Sequence, residues 1–312
     1  MIVGSNRIMK KINGGMIVLD DGTIANKDTG EIISKDYNVI VESKNSHKRM
    51  EYIKSKLELG NHEIDNGGFV LLFYEVLTNM SEYLPNLTRP DLARLLYLTT
   101  YVGYESNVIK HNNGKIIKEK DMMAILKFKD KRSYNTFINK LVDNNYLYTL
   151  DDGTYKISFN ICIYGKRDIA YKEVGKNMNY IRLFRKAIRE LFENSTAREL
   201  SKVSLIYQML PYVATRFNIL CSNPLESDSS KLNPLSVLEL SVILGYSNVQ
   251  KFRKTIQELR VGNIKLISLI SNDIDARKSK IAIHPSVIFG GNHIELEFLN
   301  VIFKDKFKIE CP

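Results

Sequence analysis

The amino-acid sequence carries one apolar pattern twice, and this repeat limits the possible folds more than any other feature. Residues 69–73 (FVLLF) return as residues 180–184 (YIRLF), and residues 101–109 (YVGYESNVI) return as residues 212–220 (YVATRFNIL), both after 111 positions. The later apolar positions of the two copies match after 118 positions. A repeat of this length is too long for a solenoid unit and indicates one small domain used twice.

Each copy has the pattern of helices followed by a β-hairpin, which is the order of a winged helix-turn-helix. The length of 312 residues suits about two domains. The predicted fold class is therefore mainly α with small β-hairpins (α+β), with two tandem winged helix-turn-helix domains after a small N-terminal β-meander. The predicted boundaries are 1–60 for the meander and a linker or helix, 61–172 for the first winged-helix domain, and 173–312 for the second with a C-terminal tail.

The composition favours a polyanionic partner. Lys and Arg number 45 against 35 Asp and Glu, which gives a net charge of +10. The three cysteines, Cys162, Cys221 and Cys311, form no CxxC pair, so neither a disulfide framework nor a zinc site is expected. No run approaches the ~20 apolar residues of a membrane span. We therefore expect a cytoplasmic protein with reduced thiols and no membrane partner.

Turn signals and apolar spacing give the expected elements of both copies. In the N-terminal segment, Asp21-Gly22 and Thr29-Gly30 indicate hairpin turns. In the first copy, we expect an apolar helix from Phe69 to Met80, a helix beginning at Thr88 and Pro90, and the helices and hairpin of a wing at 121–126, 131–143, 146–150 and 154–159. In the second copy, the corresponding segments are 181–191, 203–209, 235–244, 252–259, 264–270 and 280–284. The tail at 295–308 fits either a helix or a strand.

The second helix of each helix-turn-helix should present its polar face to the major groove of DNA, because its inward positions are occupied by apolar side chains. The outward positions carry donors that suit base edges and phosphates. In the first copy these are Lys131, Arg132, Ser133, Asn135 and Thr136. In the second copy they are Gln250, Lys251, Arg253 and Lys254. A solvated polar helix face is the alternative interpretation.

The two hairpins differ in charge at their tips. The second hairpin carries Arg277, Lys278 and Lys280, which should contact phosphate or the minor groove. The first carries Asp151 and Asp152, which would repel phosphate and suit a protein contact. The basic residues Arg182, Arg185, Lys186 and Arg189 fit a solvated helix face or a contact with the DNA backbone.

No sequence pattern points to catalysis. The chain has no GxxxxGK phosphate loop and no GxSxG elbow. Its five histidines are scattered without metal-ligand spacing, and the carboxylate pairs lie in predicted turns. We therefore expect no enzyme activity, no cofactor and no metal.

The sequence resembles tandem winged-helix replication initiators of plasmids and phages in low-GC bacteria. The similar stretches are 69–73, 101–109, 121–141 and 159–165 in the first copy and 212–220, 235–259 and 284–290 in the second. Two positions depart from the family pattern: Asn160 is followed by Ile161 and not by proline, and Lys127 replaces the turn glycine. The N-terminal meander is not part of the usual double-winged core.

The resemblance implies a sequence-specific protein that binds double-stranded DNA and initiates plasmid or phage replication. Such initiators dimerise through one winged domain, so a homodimer and contacts with host replication or transcription proteins are further expectations. A phage or plasmid transcription regulator would use the same surface. Two further hypotheses stay open, a DNA-processing enzyme with an unrecognised site and an assembly scaffold, because a fold does not fix a role.

Overall fold

The structure is a computed structural model, and it describes residues 16–18, 24–26, 28–30, 32–33, 44–166, 168–169, 172, 179–270 and 274–303. The chain divides into two compact units, residues 1–54 and 55–312. The fold is mixed α+β, in agreement with the predicted class.

The N-terminal unit contains the predicted β-meander. Strands β1 (Met16–Val18), β2 (Ile24–Asn26) and β3 (Ile32–Ile33) pair antiparallel in chain order. The turn after β2 is closed by the Asn26 side chain, whose Oδ1 accepts from the main-chain N of Asp28 at 2.8 Å and of Thr29 at 3.2 Å. The predicted Asp21-Gly22 turn lies outside the described residues. The segment predicted as a linker or a helix is helical, and helix α1 spans Lys44–Asp65.

The first copy begins with a strand and ends with a hairpin and a short returning strand. Its elements are β4 (Phe69–Phe73), α2 (Tyr74–Thr78), α3 (Met80–Tyr83), α4 (Arg89–Thr99), α5 (Glu119–Ile125), α6 (Lys131–Asp143), β5 (Leu147–Thr149), β6 (Tyr155–Ile157) and β7 (Cys162–Ile163). Helix α4 begins with a capping box: Thr88 Oγ1 accepts from the N of Asp91, and the Asp91 carboxylate accepts from the N of Thr88.

The second copy repeats this order with a longer loop and a longer hairpin. Its elements are β8 (Tyr180–Phe184), α7 (Arg185–Asn194), α8 (Leu200–Met209), β9 (Val213–Ala214), β10 (Ile219–Leu220), α9 (Val237–Ile243), α10 (Val249–Gln257), β11 (Arg260–Val261), β12 (Ile264–Lys265), β13 (Ile267–Ile270), β14 (Lys280–Ile283) and α11 (His293–Phe303). The described part of the predicted tail is therefore helical, and residues 304–308 lie outside the described residues.

The helical prediction for the start of each copy is wrong. Residues 69–73 and 180–184 form strands β4 and β8, and the helices begin only at Tyr74 and Arg185. Apolar residues fill consecutive positions in Phe69–Phe73, and a short apolar run of this kind fits a buried strand as well as a helix. Burial decided the outcome, because residues 70–73 are almost completely enclosed.

Strands β4 and β8 join the two copies through a local two-fold axis. They pair antiparallel over five residues, from Phe69 opposite Phe184 to Phe73 opposite Tyr180. At the centre of the ladder Leu71 lies opposite Arg182, and these two residues occupy equivalent positions in the repeat. Equivalent residues face each other only at a rotation axis, so the copies are related by an approximate two-fold rotation.

Helix packing obeys the same symmetry. The equivalent helices α4 and α8 pack against each other. The helix that follows the first strand of each copy also reaches the other copy: the Tyr74 hydroxyl donates to the Val213 carbonyl oxygen, and Arg185 Nε donates to the Thr100 carbonyl oxygen at 2.7 Å. Most of the buried apolar side chains from Val70 to Ile288 form one core. The predicted boundary between residues 172 and 173 thus does not separate two cores.

A buried asparagine at an equivalent position in each copy donates hydrogen bonds to main-chain carbonyl oxygens near the end of the hairpin. Asn107 and Asn218 adopt φ of 52° and 54°, in the left-handed region that asparagine tolerates better than most residues. The Asn107 Nδ2 donates to the carbonyl oxygens of Cys162 at 2.6 Å and Ile157 at 3.4 Å. The Asn218 Nδ2 donates to those of Ile288 at 2.6 Å and Ile283 at 2.9 Å. This pair explains the recurring asparagine in segments 101–109 and 212–220.

The two copies also share an ion pair with exchanged charges. In the first copy, Lys140 of α6 binds Asp91 of α4 with 3.0 Å between Nζ and Oδ2. In the second copy, the equivalent positions are Glu258 and Lys202, whose Oε2 and Nζ atoms lie 2.5 Å apart. The offset is 111 positions on the first helix and 118 on the second. The same contact with reversed polarity supports the alignment of the copies independently of the apolar pattern.

Lys127, the residue that replaces the expected turn glycine, links the turn between α5 and α6 to the second copy. It adopts a φ of 59°, close to the 71° of the equivalent Gly245. Its Nζ donates to the carbonyl oxygens of Phe192 at 2.7 Å and Glu193 at 2.8 Å, and also to that of Ser195. These carbonyls end helix α7, where a cation is favourable. Burial lowers the pKa of Lys127.

We expect the substitution Lys127→Gly to lower the free energy of unfolding by about 1–2 kcal/mol, because it removes three hydrogen bonds of a half-exposed ammonium group. Glycine adopts the left-handed φ without strain, so loss of stability must come from the side chain. Urea unfolding followed by circular dichroism measures the effect. Lys129→Gly on the exposed side of the same turn is the control. Equal or higher stability of Lys127→Gly would show that the link contributes nothing.

Candidate nucleic-acid interface

Helix α6 presents the predicted residues of the first copy to solvent. Asp130 caps the helix, and its Oδ1 accepts from the N of Ser133 at 2.7 Å. Tyr134, Phe137, Ile138 and Leu141 are buried, as predicted from their spacing. The predicted DNA-contacting side chains are all exposed: Lys131, Arg132, Ser133, Asn135 and Thr136. Two of them already have local partners: Lys131 lies 3.7 Å from Glu119, and the Thr136 hydroxyl donates to the Arg132 carbonyl.

Helix α10 has the equivalent position in the second copy but a different distribution of exposure. Asn248 caps it, and its Oδ1 accepts from the N of Lys251 at 2.8 Å. Gln250, Lys251 and Lys254 are exposed. Arg253 is half-buried, and its Nε is buried and has no hydrogen-bond partner in the described part of the chain. Only the end of the Arg253 side chain is therefore in a position to reach a ligand.

A basic groove of about 550 Å³ runs beside α6 in the first copy. It contains the start of α4, the turn before α6 and the first turns of α6. Five basic and two acidic side chains line it: Arg94, Lys127, Lys129, Arg132, Lys140, Asp91 and Asp130. Asp91 is engaged by Lys140 and lies 3.5 Å from Arg94, whose guanidinium covers the Phe128 ring. The groove thus keeps an excess of positive charge next to the exposed residues Arg132 and Ser133.

The first hairpin has an acidic tip, as its sequence indicates. Strands β5 and β6 pair from Leu147 opposite Ile157 to Thr149 opposite Tyr155. The Asp152 carboxylate accepts from the hydroxyl of Thr154 at 2.6 Å and from its N at 3.0 Å, and these bonds lower the pKa of Asp152. The turn therefore stays negatively charged at neutral pH.

The second hairpin does not leave its three basic residues equally accessible. Lys280 Nζ donates to the Pro234 carbonyl oxygen at 2.6 Å, so this side chain joins the strand to the loop before α9. Arg277 Nε lies 3.0 Å from Asp275 Oδ1, and its Nη2 lies 3.0 Å from Asp275 Oδ2. Residues 276–278 pack against α9 and α10. The tip is thus packed on α9 and α10. Of the three basic side chains, Arg277 and Lys280 are hydrogen-bonded, and Lys278 has no hydrogen-bond acceptor among the described residues.

The basic face of α7 is a further feature that the sequence left ambiguous. Arg182 lies in strand β8 and not on the helix that was predicted, and its guanidinium covers the Phe69 ring. Arg185 and Arg189 of α7 bind the Thr100 carbonyl oxygen and the Asn112 side chain. The interpretation as a solvated helix face therefore fails for Arg185 and Arg189. Sequence spacing contained no signal for this, because both acceptors lie more than 70 positions away.

The described residues contain no group of three or more His, Cys, Asp or Glu side chains that could hold a metal ion. Cys162 and Cys221 are buried free thiols, and burial raises the pKa of Cys221 to about 11. Cys311 lies outside the described residues.

Among the helices of the described ranges, none combines the length and apolar character needed to cross a bilayer.

Comparisons of this chain with family models, with curated proteins and with solved structures found no match.

Proposed function

We propose that the protein binds double-stranded DNA in a sequence-specific manner and that each copy is a winged helix-turn-helix. The order of elements supports this. In each copy a helix leads to a short extended segment, two helices and a hairpin: Val108 pairs with Lys156 of the first hairpin, and Ile219 pairs with Ala282 of the second. The second short helix carries the exposed basic and amide side chains that suit the major groove.

The two-fold relation between the copies gives the strongest support to this proposal. DNA has its own two-fold axes, so two reading units related by a two-fold rotation match half-sites in inverted orientation. Dimeric helix-turn-helix proteins meet this condition with two chains. Here, β4 paired with β8 and α4 packed on α8 meet it within one chain. We therefore propose that one chain binds one site with two inverted, imperfectly matched half-sites.

Selection of binding sites from random duplexes tests this proposal. We expect enriched sites with two inverted half-sites about 10 base pairs apart, each complete site bound by one chain. Binding should weaken steeply with salt, because each phosphate contact adds ~0.9 to the slope of log affinity against log salt. A slope near zero, or no binding to any duplex, would favour the assembly scaffold. Enrichment of a single unpaired half-site would reject simultaneous reading by both copies.

The cellular role we propose is initiation of plasmid or phage replication, and the sequence resemblance supports it. Transcription regulation is the second candidate. The two roles differ in the arrangement of complete sites on the surrounding DNA: an initiator should have several sites as direct repeats, whereas a regulator should have a site over a promoter. Both candidate roles use the exposed hydrogen-bond donors of α6 and α10 to bind DNA, and we propose no catalytic step.

A further inference from the structure

A second basic groove, separate from the one beside α6, lies between the start of α7 and the turn at residues 111–115. Its volume is about 940 Å³. Its lining includes the basic side chains Lys115, Arg185, Lys186 and Arg189, the imidazole of His111, and the carboxylates Glu190 and Glu193. Neither α6 nor α10 contributes a residue to its lining, so its function is separable from that of the helix-turn-helix units.

Two arginines on one side of the groove share uncharged acceptors. Arg185 Nε donates to the Thr100 carbonyl oxygen at 2.7 Å, and Arg189 donates to the same oxygen. Both also donate to Asn112 Oδ1. Two guanidinium groups are therefore held side by side without a carboxylate between them. Burial, and then repulsion by Arg185, lower the pKa of Arg189 to about 10.

The two carboxylates of the groove, Glu190 and Glu193, offset only part of the charge of its four lysine and arginine side chains. Glu193 Oε1 accepts from the hydroxyl of Tyr97 at 2.9 Å and from that of Tyr101 at 3.4 Å. Burial raises the pKa of Glu190, and the neighbouring Lys186 opposes this shift. The first amides of α7 are occupied, since the N of Lys186 donates to the Asn66 carbonyl oxygen at 3.1 Å. The side chains, and not the helix terminus, therefore create the positive potential.

We infer that this groove binds a phosphate group. A phosphate dianion offers several acceptor oxygens and relieves the repulsion between two adjacent guanidinium groups, and arginine suits such oxygens geometrically. Tyr101 lies beneath Arg189, with the guanidinium 4.0 Å from the ring centroid, and fixes the cation in place. The phosphate has two chemical sources, the backbone of a duplex bound by the same chain and a free nucleotide. The inference goes beyond the proposed function, because a free nucleotide would bind without the helix-turn-helix units.

The first experiment measures binding of inorganic pyrophosphate to the full chain by calorimetry and by thermal shift. The variant Lys115→Gln/Lys186→Gln removes two charges from the wall and leaves the bonds of Arg185 and Arg189 to Thr100 intact. Lys265→Gln/Arg198→Gln, two exposed positions elsewhere, is the matched control. We expect the control to bind pyrophosphate as the unsubstituted protein does and the groove variant to bind at least about fivefold more weakly, because it can no longer form two charge-assisted hydrogen bonds.

The second experiment separates the sources with the same proteins. If the backbone of DNA supplies the phosphate, the groove variant should lower the salt slope for specific and random duplex by up to ~1.8, since each of the two removed lysine–phosphate interactions accounts for ~0.9. If a nucleotide supplies it, ATP should bind the unsubstituted protein more tightly than pyrophosphate, and the variant should bind duplex normally. Equal pyrophosphate binding by groove variant and control, together with equal salt slopes, would overturn the inference. Variants of α6 and α10 that no longer bind duplex should still bind pyrophosphate, so the two proposals fail separately.

Discussion

We expect Asn218→Ala to lower the free energy of unfolding by about 3–5 kcal/mol. The substitution leaves two buried carbonyl oxygens, those of Ile283 and Ile288, without their donor, and each costs about 1–3 kcal/mol. Alanine at a φ of 54° adds about 1 kcal/mol of backbone strain. Urea unfolding monitored by circular dichroism measures the change from the transition midpoint and slope. Asn107→Ala should have a similar effect, because its amide makes the equivalent bonds.

Two controls separate the amide from the backbone. Asn86 has a φ of 65° but is exposed, so Asn86→Ala should cost only about 1 kcal/mol, the strain alone. Asn218→Gly removes the amide without backbone strain and should keep most of the destabilisation seen for alanine. If Asn218→Ala costs no more than Asn86→Ala, the amide does not hold the end of the second hairpin.

Reversal of charge on the exposed face of either α6 or α10 should weaken binding to the selected duplex by about 100-fold or more, because each reversed side chain replaces attraction to phosphate by repulsion. The variants are Lys131→Glu/Arg132→Glu in the first copy and Lys251→Glu/Lys254→Glu in the second. Lys131, Arg132 and Lys251 lie in the first turn of their helix, where glutamate is favourable, whereas Lys254 lies in the last turn of α10. Circular dichroism should therefore first establish that the variant of the second copy keeps its helical content. Affinity for selected and random duplexes, measured at two salt concentrations, gives the result.

The control Arg198→Glu/Lys265→Glu makes the same change in net charge at exposed positions outside both helices. It should weaken binding by less than about tenfold, through the overall field alone. Weaker binding in only one of the two helix variants would assign DNA contact to that copy alone. The proposed interface is contradicted if both variants bind the selected duplex as well as the control does.

The proposed DNA interface contains two kinds of residue. For one kind, the spacing of residues in the sequence predicts that the side chain is exposed; for the other, exposure depends on partners that are distant in the sequence. The exposure of Lys131, Arg132 and Lys251 follows from the apolar stripe on the same helix, because side chains at i, i+3 and i+4 share one face. The half-burial of Arg253 and the bond from Lys280 to Pro234 do not follow from it. At the tip of the second hairpin, Asp275 engages Arg277 and Lys280 donates to the Pro234 carbonyl oxygen, and the contact of this tip with DNA stays a prediction.

The amino-acid sequence alone shows that one pattern occurs in two copies. It also predicts a helix at residues 131–143, and the structure has helix α6 over the same residues. Local spacing is sufficient there, since one face of a helix is set by residues within two turns. Tertiary contacts were needed to make residues 69–73 a strand, to pair equivalent strands about a two-fold axis, and to place Lys127 at the end of α7. These outcomes depend on contacts between residues more than 60 positions apart, and burial at those contacts outweighs local preference.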